Sequence, residues 1–145
     1  MLQEPPIAAV AHVIQLAVAP VFLLTGIGGM LAVMTNRLGR IVDRARRVED
    51  DAGAQPEPAL QEELVRLSRR ARLISVSISL CTLTALLVSA VIAILFLGAF
   101  LAFDASVLVA LLFVAAMLTF IVALVCFLRE VFLAIEGLRF GKRLG

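Results

Sequence analysis

Three long stretches without a single Asp, Glu, Lys or Arg dominate the chain: residues 7–35, 73–103 and 105–128. A helix of about 20 residues crosses a hydrocarbon core of about 30 Å, and each stretch exceeds that length. Hydrophobic residues make up 62% of the 145 residues, so the chain cannot supply the soluble shell that three buried core helices would need. The pattern predicts an all-α membrane protein with three transmembrane helices.

Charge predicts how these helices are oriented. Residues 36–72 carry nine arginines, whereas residues 1–35 contain no lysine or arginine. Because cytoplasmic loops are enriched in basic residues, we expect residues 36–72 and the basic tail, residues 129–145, in the cytoplasm. The N-terminus and the turn at Asp104 are then outside. The chain also opens with an acid, Glu4, instead of the basic start of a signal peptide, so we expect residues 1–35 to be retained as the first segment.

Between the first two spans, the apolar residues recur at spacings of three and four. They are Leu38, Val42, Ala45 and Val48 in the segment after the first span and Leu60, Leu64, Leu67 and Ala71 in the segment before the second span. Residues 50–58 between them are rich in turn formers and helix breakers. The pattern predicts a cytoplasmic antiparallel helical hairpin with a coiled-coil seam, whose two arms are continuous extensions of the first two membrane helices.

Arginines are concentrated where the hairpin meets the membrane. This predicted collar consists of Arg37, Arg40, Arg69, Arg70, Arg72, Arg129 and Glu130. One interpretation is a solubilising connector held together by ion pairs, in which Glu130 pairs with Arg37 or Arg72. The other is that the arginines bind the phosphates of anionic lipids, since guanidinium groups contact phosphate in a bidentate manner. Nucleic acid is not expected as a partner, because acids nearly balance the arginines and stacking aromatics do not accompany them.

Polar residues inside the spans must find partners in a medium without water. On the second span they form one helical face, Ser75, Ser79, Thr82 and Ser89, and the first span contributes Gln15 and Thr25. Such residues either hydrogen-bond between helices or line a hydrated path.

The first span also contains helix-modifying residues. Pro20 removes a backbone hydrogen bond, which predicts a kink or break near residues 16–20. Gly26, Gly28 and Gly29 would allow another helix to approach closely. His12 is a candidate proton site, because histidine is a residue type that commonly accepts and releases protons, although a hydrated histidine near an interface is the commoner case.

The remaining chemistry-bearing residues indicate no enzyme. Cys81 and Cys126 lie inside different spans and are expected to be inert thiols. The sequence contains one histidine and no metalloprotease, serine hydrolase or phosphate-loop motif, so we expect no metal, no cofactor and no catalytic residue.

Three helices cannot shield so many small and polar positions from lipid, so we expect a homo-oligomer in which the first two helices pack centrally. Two functions fit this arrangement. The first is an ion channel or small-solute conduit lined by the first two helices. The second is a non-conducting membrane organiser, or a lipid- or partner-sensing scaffold, that acts through the arginine-rich hairpin.

Three segments, residues 15–28, 35–46 and 127–131, resemble a family of small bacterial membrane proteins that is classified only as a domain of unknown function. The resemblance extends roughly from His12 to Ile135. It implies a three-helix protein of the bacterial inner membrane, and it implies no activity and no functional residues.

Overall fold

The computed structural model describes residues 6–141 and the side chains of residues 7–138. It consists of three helices, α1 (Pro6–Asp50), α2 (Glu57–Leu101) and α3 (Ser106–Gly141). Each helix contains a segment long and apolar enough to cross a membrane. The predicted all-helical class with three long apolar helices is therefore confirmed. Lys142 and Arg143 of the predicted basic tail lie outside the described residues.

Turn chemistry explains where the helices end. After Asp50 the chain turns over residues 51–56, and α2 then begins with Glu57 followed by Pro58, a residue that fits the first turn of a helix. Ala102 ends α2 in the left-handed conformation, with φ 52° and ψ 38°. The carboxylate of Asp104 accepts a hydrogen bond of 3.0 Å from the backbone N–H of Ser106 and so caps the start of α3.

Helices α1 and α2 run without interruption across the boundaries between their apolar and their charged halves. The prediction of a helix break near residues 16–20 is wrong, because α1 continues through Pro20. Because Pro20 has no N–H, the carbonyl of Leu16 loses its helical partner. Membrane helices tolerate such a carbonyl where neighbouring groups or local adjustments satisfy it. The structure also extends α3 to Gly141, well beyond the predicted end of its apolar stretch.

Helix α2 is the central helix of the protomer. It packs against both neighbours, whereas α1 and α3 hardly contact each other. Within the protomer α1 and α3 lie on the two flanks of α2. The prediction that α1 and α2 pack centrally concerns a homo-oligomer and stays a prediction.

Buried residues recur every seven positions along the helices. The buried positions that show this period are Ile27, Met34, Ile41 and Val48 in α1 and Leu67, Ile74, Cys81 and Val88 in α2. A period of seven keeps one face turned towards a partner when two helices cross at a small angle. Ile41, Val48, Leu67 and Ile74 form one buried cluster in the charged halves of α1 and α2. The predicted seam agrees with it except at Val42, which is 38% exposed while the neighbouring Ile41 is buried.

The same period places a carboxylate in the packed face of α3. Ala116 and Ala123 are completely buried, and the next position in their repeat is Glu130, which is completely buried as well. The two alanines let α3 approach α2 closely. Where the repeat reaches Glu130, its charged side chain needs partners from the other helices.

Candidate functional site

Glu130 joins all three helices. Its Oε1 atom accepts hydrogen bonds from Arg70 of α2, at 3.2 Å from Nε and 2.9 Å from Nη2. Its Oε2 atom lies 3.2 Å from Nη1 of Arg37 on α1. We call Arg37, Arg70 and Glu130 the charged junction. It links α1 to α3, two helices that otherwise hardly touch.

The charged junction is partly shielded from solvent. The Glu130 side chain is 0% exposed, whereas those of Arg37 and Arg70 retain 32% and 27% of their exposure. The Arg37 guanidinium also lies 5.5 Å from the centroid of the Phe127 ring, a distance at which a cation is attracted to an aromatic face. Among the described side chains Oε2 has the charge contact with Arg37 but no hydrogen bond, so the second arm of the junction is the weaker one.

The predicted collar separates into inward and outward arginines. Arg37 and Arg70 face Glu130, whereas Arg40, Arg69, Arg72 and Arg129 are exposed. Sequence analysis named Arg37 and Arg72 as candidate partners of Glu130, and the structure selects Arg37 and Arg70. Residues two apart on a helix point in nearly opposite directions, so Arg72 faces outwards when Arg70 faces α3.

Between the charged junction and the turn at residues 51–56, an open groove of about 730 Å³ lies between α2 and α3. We call it the arginine groove. Four arginines line it, Arg44, Arg66, Arg69 and Arg70, with three glutamates, Glu62, Glu63 and Glu136, and with an apolar wall formed by Leu133, Ala134 and Leu138. Sequence analysis missed this groove, because it depends on the helical continuation of α3 beyond residue 128.

Two surface ion pairs occupy part of the arginine groove. Arg44 contacts Glu63 at 2.8 Å, and Arg66 contacts Glu62 at 3.3 Å within one helical turn. Each arginine is more than half exposed. Such exposed pairs are worth about 0–1 kcal/mol and exchange readily with other partners.

The predicted serine and threonine face of α2 lies on the outside of the protomer. Ser75, Ser79, Thr82 and Ser89 are exposed. The hydroxyls of Ser79, Thr82 and Ser89 each donate to the carbonyl four residues earlier, at 2.8–3.0 Å. Thr25 of α1 does the same towards Val21 at 3.3 Å. These hydroxyls are therefore satisfied within their own helices and do not require a partner helix.

Two other hydroxyl residues face the interior. Ser77 and Thr84 are completely buried and donate to the carbonyls of Leu73 and Leu80 at 3.0 and 2.9 Å. Their spacing of seven residues was the sequence signal that could have assigned them to the packed side.

The predicted close-packing glycines do not pack within the protomer. Gly26, Gly28 and Gly29 are exposed, and a Cβ atom added at any of them would meet nothing within 4 Å. His12 and Gln15 are exposed in the N-terminal part of α1. The structure thus does not bring these residues together with the charged junction.

The two cysteines are free thiols. Cys81 is completely buried, and its Sγ atom lies 3.8 Å from Sδ of Met34. Among the described residues no group of His, Cys, Asp or Glu is arranged to hold a metal ion.

Comparison with known proteins places the chain in a family. No curated protein and no solved structure is significantly similar to it. One family profile, described as a protein of unknown function (DUF2721), matches residues 17–140, a range that includes the charged junction and the arginine groove. The resemblance seen in the sequence is thereby confirmed, and the chain belongs to the DUF2721 family of proteins of unknown function.

Proposed function

We propose that this protein is a homo-oligomeric, multi-pass organiser of the bacterial inner membrane that binds anionic lipids through exposed arginines. In this proposal the N-terminus is outside and the turn at residues 51–56 is in the cytoplasm, as the arginine distribution indicates. The observation that carries the proposal is the position of the exposed arginines. They lie on all three helices where the apolar spans end.

The charged junction shows which positions on the three helices lie at the same height along the helix axes. Because Arg37 and Arg70 both contact Glu130, the three residues lie at about the same height on α1, α2 and α3. Arg40, Arg72 and Arg129 are each at most three residues away along their own helices, which is within about 5 Å at 1.5 Å per residue. We call Arg40, Arg72 and Arg129 the arginine girdle.

An arginine girdle at this height faces the phosphates of the inner leaflet. A basic residue close to the surface of an anionic membrane is worth about 1 kcal/mol. Arg37 and Arg70 are held by the buried Glu130, so the girdle arginines, not the junction arginines, are the ones available to lipid.

Packing inside the protomer favours an organiser over a conduit. Ile27, Met34, Cys81 and Ala123 fill the space between the three helices. The hydroxyls of Ser79, Thr82 and Ser89 bond to their own helix, so their presence in the span requires no water-filled path.

Lipid selection tests the organiser. The protein is reconstituted in nanodiscs of equal parts phosphatidylglycerol and phosphatidylcholine, and the lipids retained on release are counted by native mass spectrometry. We expect enrichment of phosphatidylglycerol, which is lost when Arg40, Arg72 and Arg129 are changed to Gln. The control changes Arg46 and Arg47, exposed arginines far along α1, and should retain the enrichment. Equal retention of both lipids by the parent would reject the proposal.

A conduit is the second candidate, because the exposed face of Ser75, Ser79, Thr82 and Ser89 would line a path if several protomers placed it around an axis. Liposome flux of K⁺ and Cl⁻ tests this function. It requires flux above that of empty liposomes, reduced by Ser79→Leu but not by Leu86→Ile at another exposed position of α2. Parent flux equal to that of empty liposomes would exclude it.

A further inference from the structure

The arginine groove has two chemically different walls. Arginines and glutamates of α2 form one wall, and Leu133, Ala134 and Leu138 of α3 contribute apolar surface to the other. Its volume of about 730 Å³ falls in the range of about 300–1,000 Å³ typical of small-molecule sites. A ligand that fits these walls combines charged groups with an aliphatic part.

Four arginines and three carboxylates line the arginine groove, and not all of them are paired. Arg44 and Arg66 contact the nearby carboxylates of Glu63 and Glu62, and Arg70 contacts Glu130. Arg69 is exposed and has no ion pair within 4 Å among the described side chains. The remaining lining carboxylate is Glu136 of α3. Glu130 behind the groove is shared between Arg70 and Arg37, so Arg69 and Glu136 are the two lining groups of opposite charge that suit a zwitterionic ligand.

Arg69 and Glu136 lie at different heights along the groove. Arg69 is adjacent in sequence to Arg70 of the charged junction, whereas Glu136 is six residues beyond Glu130, or about 9 Å farther along α3 at 1.5 Å per residue. With the orientation proposed above, Arg69 lies at the membrane end of the groove and Glu136 lies on its cytoplasmic side.

We propose that the arginine groove binds the phosphoethanolamine headgroup of an inner-leaflet phospholipid. Arg69 binds the phosphate, and Glu136 binds the ammonium group. In such a lipid the phosphate is linked to the acylated glycerol and the ammonium group lies beyond it, so the order of charges from the bilayer outwards matches Arg69 followed by Glu136. Leu133 and Ala134 contact the glycerol, and the acyl chains remain in the bilayer.

This inference rests on the orientation in the proposed function but not on the arginine girdle. Lipid competition tests it. The protein is placed in nanodiscs of equal parts phosphatidylethanolamine and phosphatidylglycerol, and the most tightly retained lipid is identified by native mass spectrometry. We expect the lipid that the parent retains most tightly to be phosphatidylethanolamine, bound in the groove, whereas phosphatidylglycerol enriched at the arginine girdle is released first. Arg69→Gln should reduce that retention about tenfold, as expected for loss of a charge-assisted hydrogen bond.

The second variant separates this headgroup from any other phosphate. Glu136→Gln removes the partner of the ammonium group, so it should abolish the preference for phosphatidylethanolamine while phosphatidylglycerol is still retained. Matched controls are Arg46→Gln and Glu49→Gln, two exposed residues of α1 outside the groove, and both should behave like the parent.

Three results would overturn the proposal: a most tightly retained lipid other than phosphatidylethanolamine in the parent, unchanged retention in Arg69→Gln, or an unchanged preference in Glu136→Gln. Failure of the proposed function looks different. In that case the girdle variant leaves phosphatidylglycerol enrichment intact, while Arg69→Gln still releases phosphatidylethanolamine.

Discussion

Glu130→Gln tests whether the charged junction holds the three helices together. The substitution keeps the size of the side chain and removes its charge. Two guanidinium groups, with Nη atoms 2.9 and 3.2 Å from the carboxylate oxygens, then lose their counter-charge. Removing one partner of a buried ion pair typically costs about 3–5 kcal/mol.

The exposure of the two arginines sets the expected magnitude. Arg37 and Arg70 keep 32% and 27% of their exposure, so water can partly solvate them after the change. We therefore expect the lower end of the range, a loss of about 3 kcal/mol in the free energy of unfolding. That loss corresponds to a factor of about 150 in the unfolding equilibrium.

Reversible unfolding in mixed micelles titrated with dodecyl sulfate, followed by circular dichroism, measures this loss. The matched control is Glu62→Gln, whose side chain is 71% exposed and pairs with Arg66, and it should change stability by less than about 1 kcal/mol. Replacing all three junction residues by Leu or Met should restore most of the stability, because well-packed apolar groups can replace a buried ion cluster. The reasoning is refuted if Glu130→Gln and Glu62→Gln cost the same.

Three further predictions concern a buried hydroxyl, an exposed glycine and the turn before α3. Thr84→Leu should lower the free energy of unfolding by about 1–3 kcal/mol in the same micelle titration, because Thr84 is completely buried, whereas exposed Ser79→Leu should be nearly neutral; equal effects would contradict the assignment of faces. Gly29→Leu meets open space in the protomer, so it should leave protomer stability unchanged and shift a homo-oligomer to protomers in native mass spectrometry, and an unchanged oligomer would exclude this face from the interface. Hydrogen bonds from the hydroxyl and backbone N–H of Ser106 lower the pKa of Asp104, so the stabilisation is present above the unfolded value of about 3.9 and is lost as pH falls through the lower folded pKa. The stability difference between the parent and Asp104→Asn should therefore vanish in strong acid, and a difference that persists there would argue against this origin.

Local sequence signals predicted most of the secondary structure. Length and the absence of charge predicted the three apolar helices, and the turn formers of residues 50–58 predicted the connection between α1 and α2. Helix α1 shows no break at Pro20. The expectation that proline breaks a helix holds for an isolated helix, whereas in a membrane bundle neighbouring helices can compensate for the lost hydrogen bond. Helix α3 continues to Gly141, beyond its apolar stretch, because a change from apolar to charged residues marks the end of a span and not the end of a helix.

The candidate site was predictable in part. The sequence by itself determined that arginines and Glu130 would lie near the ends of the apolar stretches, because the positions of charges along each helix are fixed by residue number and by the rise per residue. Only the tertiary structure decided that Arg70, and not Arg72, meets Glu130, and that Ser77 and Thr84, and not Ser79 and Thr82, face the interior. Those choices depend on how each helix is rotated about its axis, and the packing of the buried seven-residue repeats against one another sets that rotation.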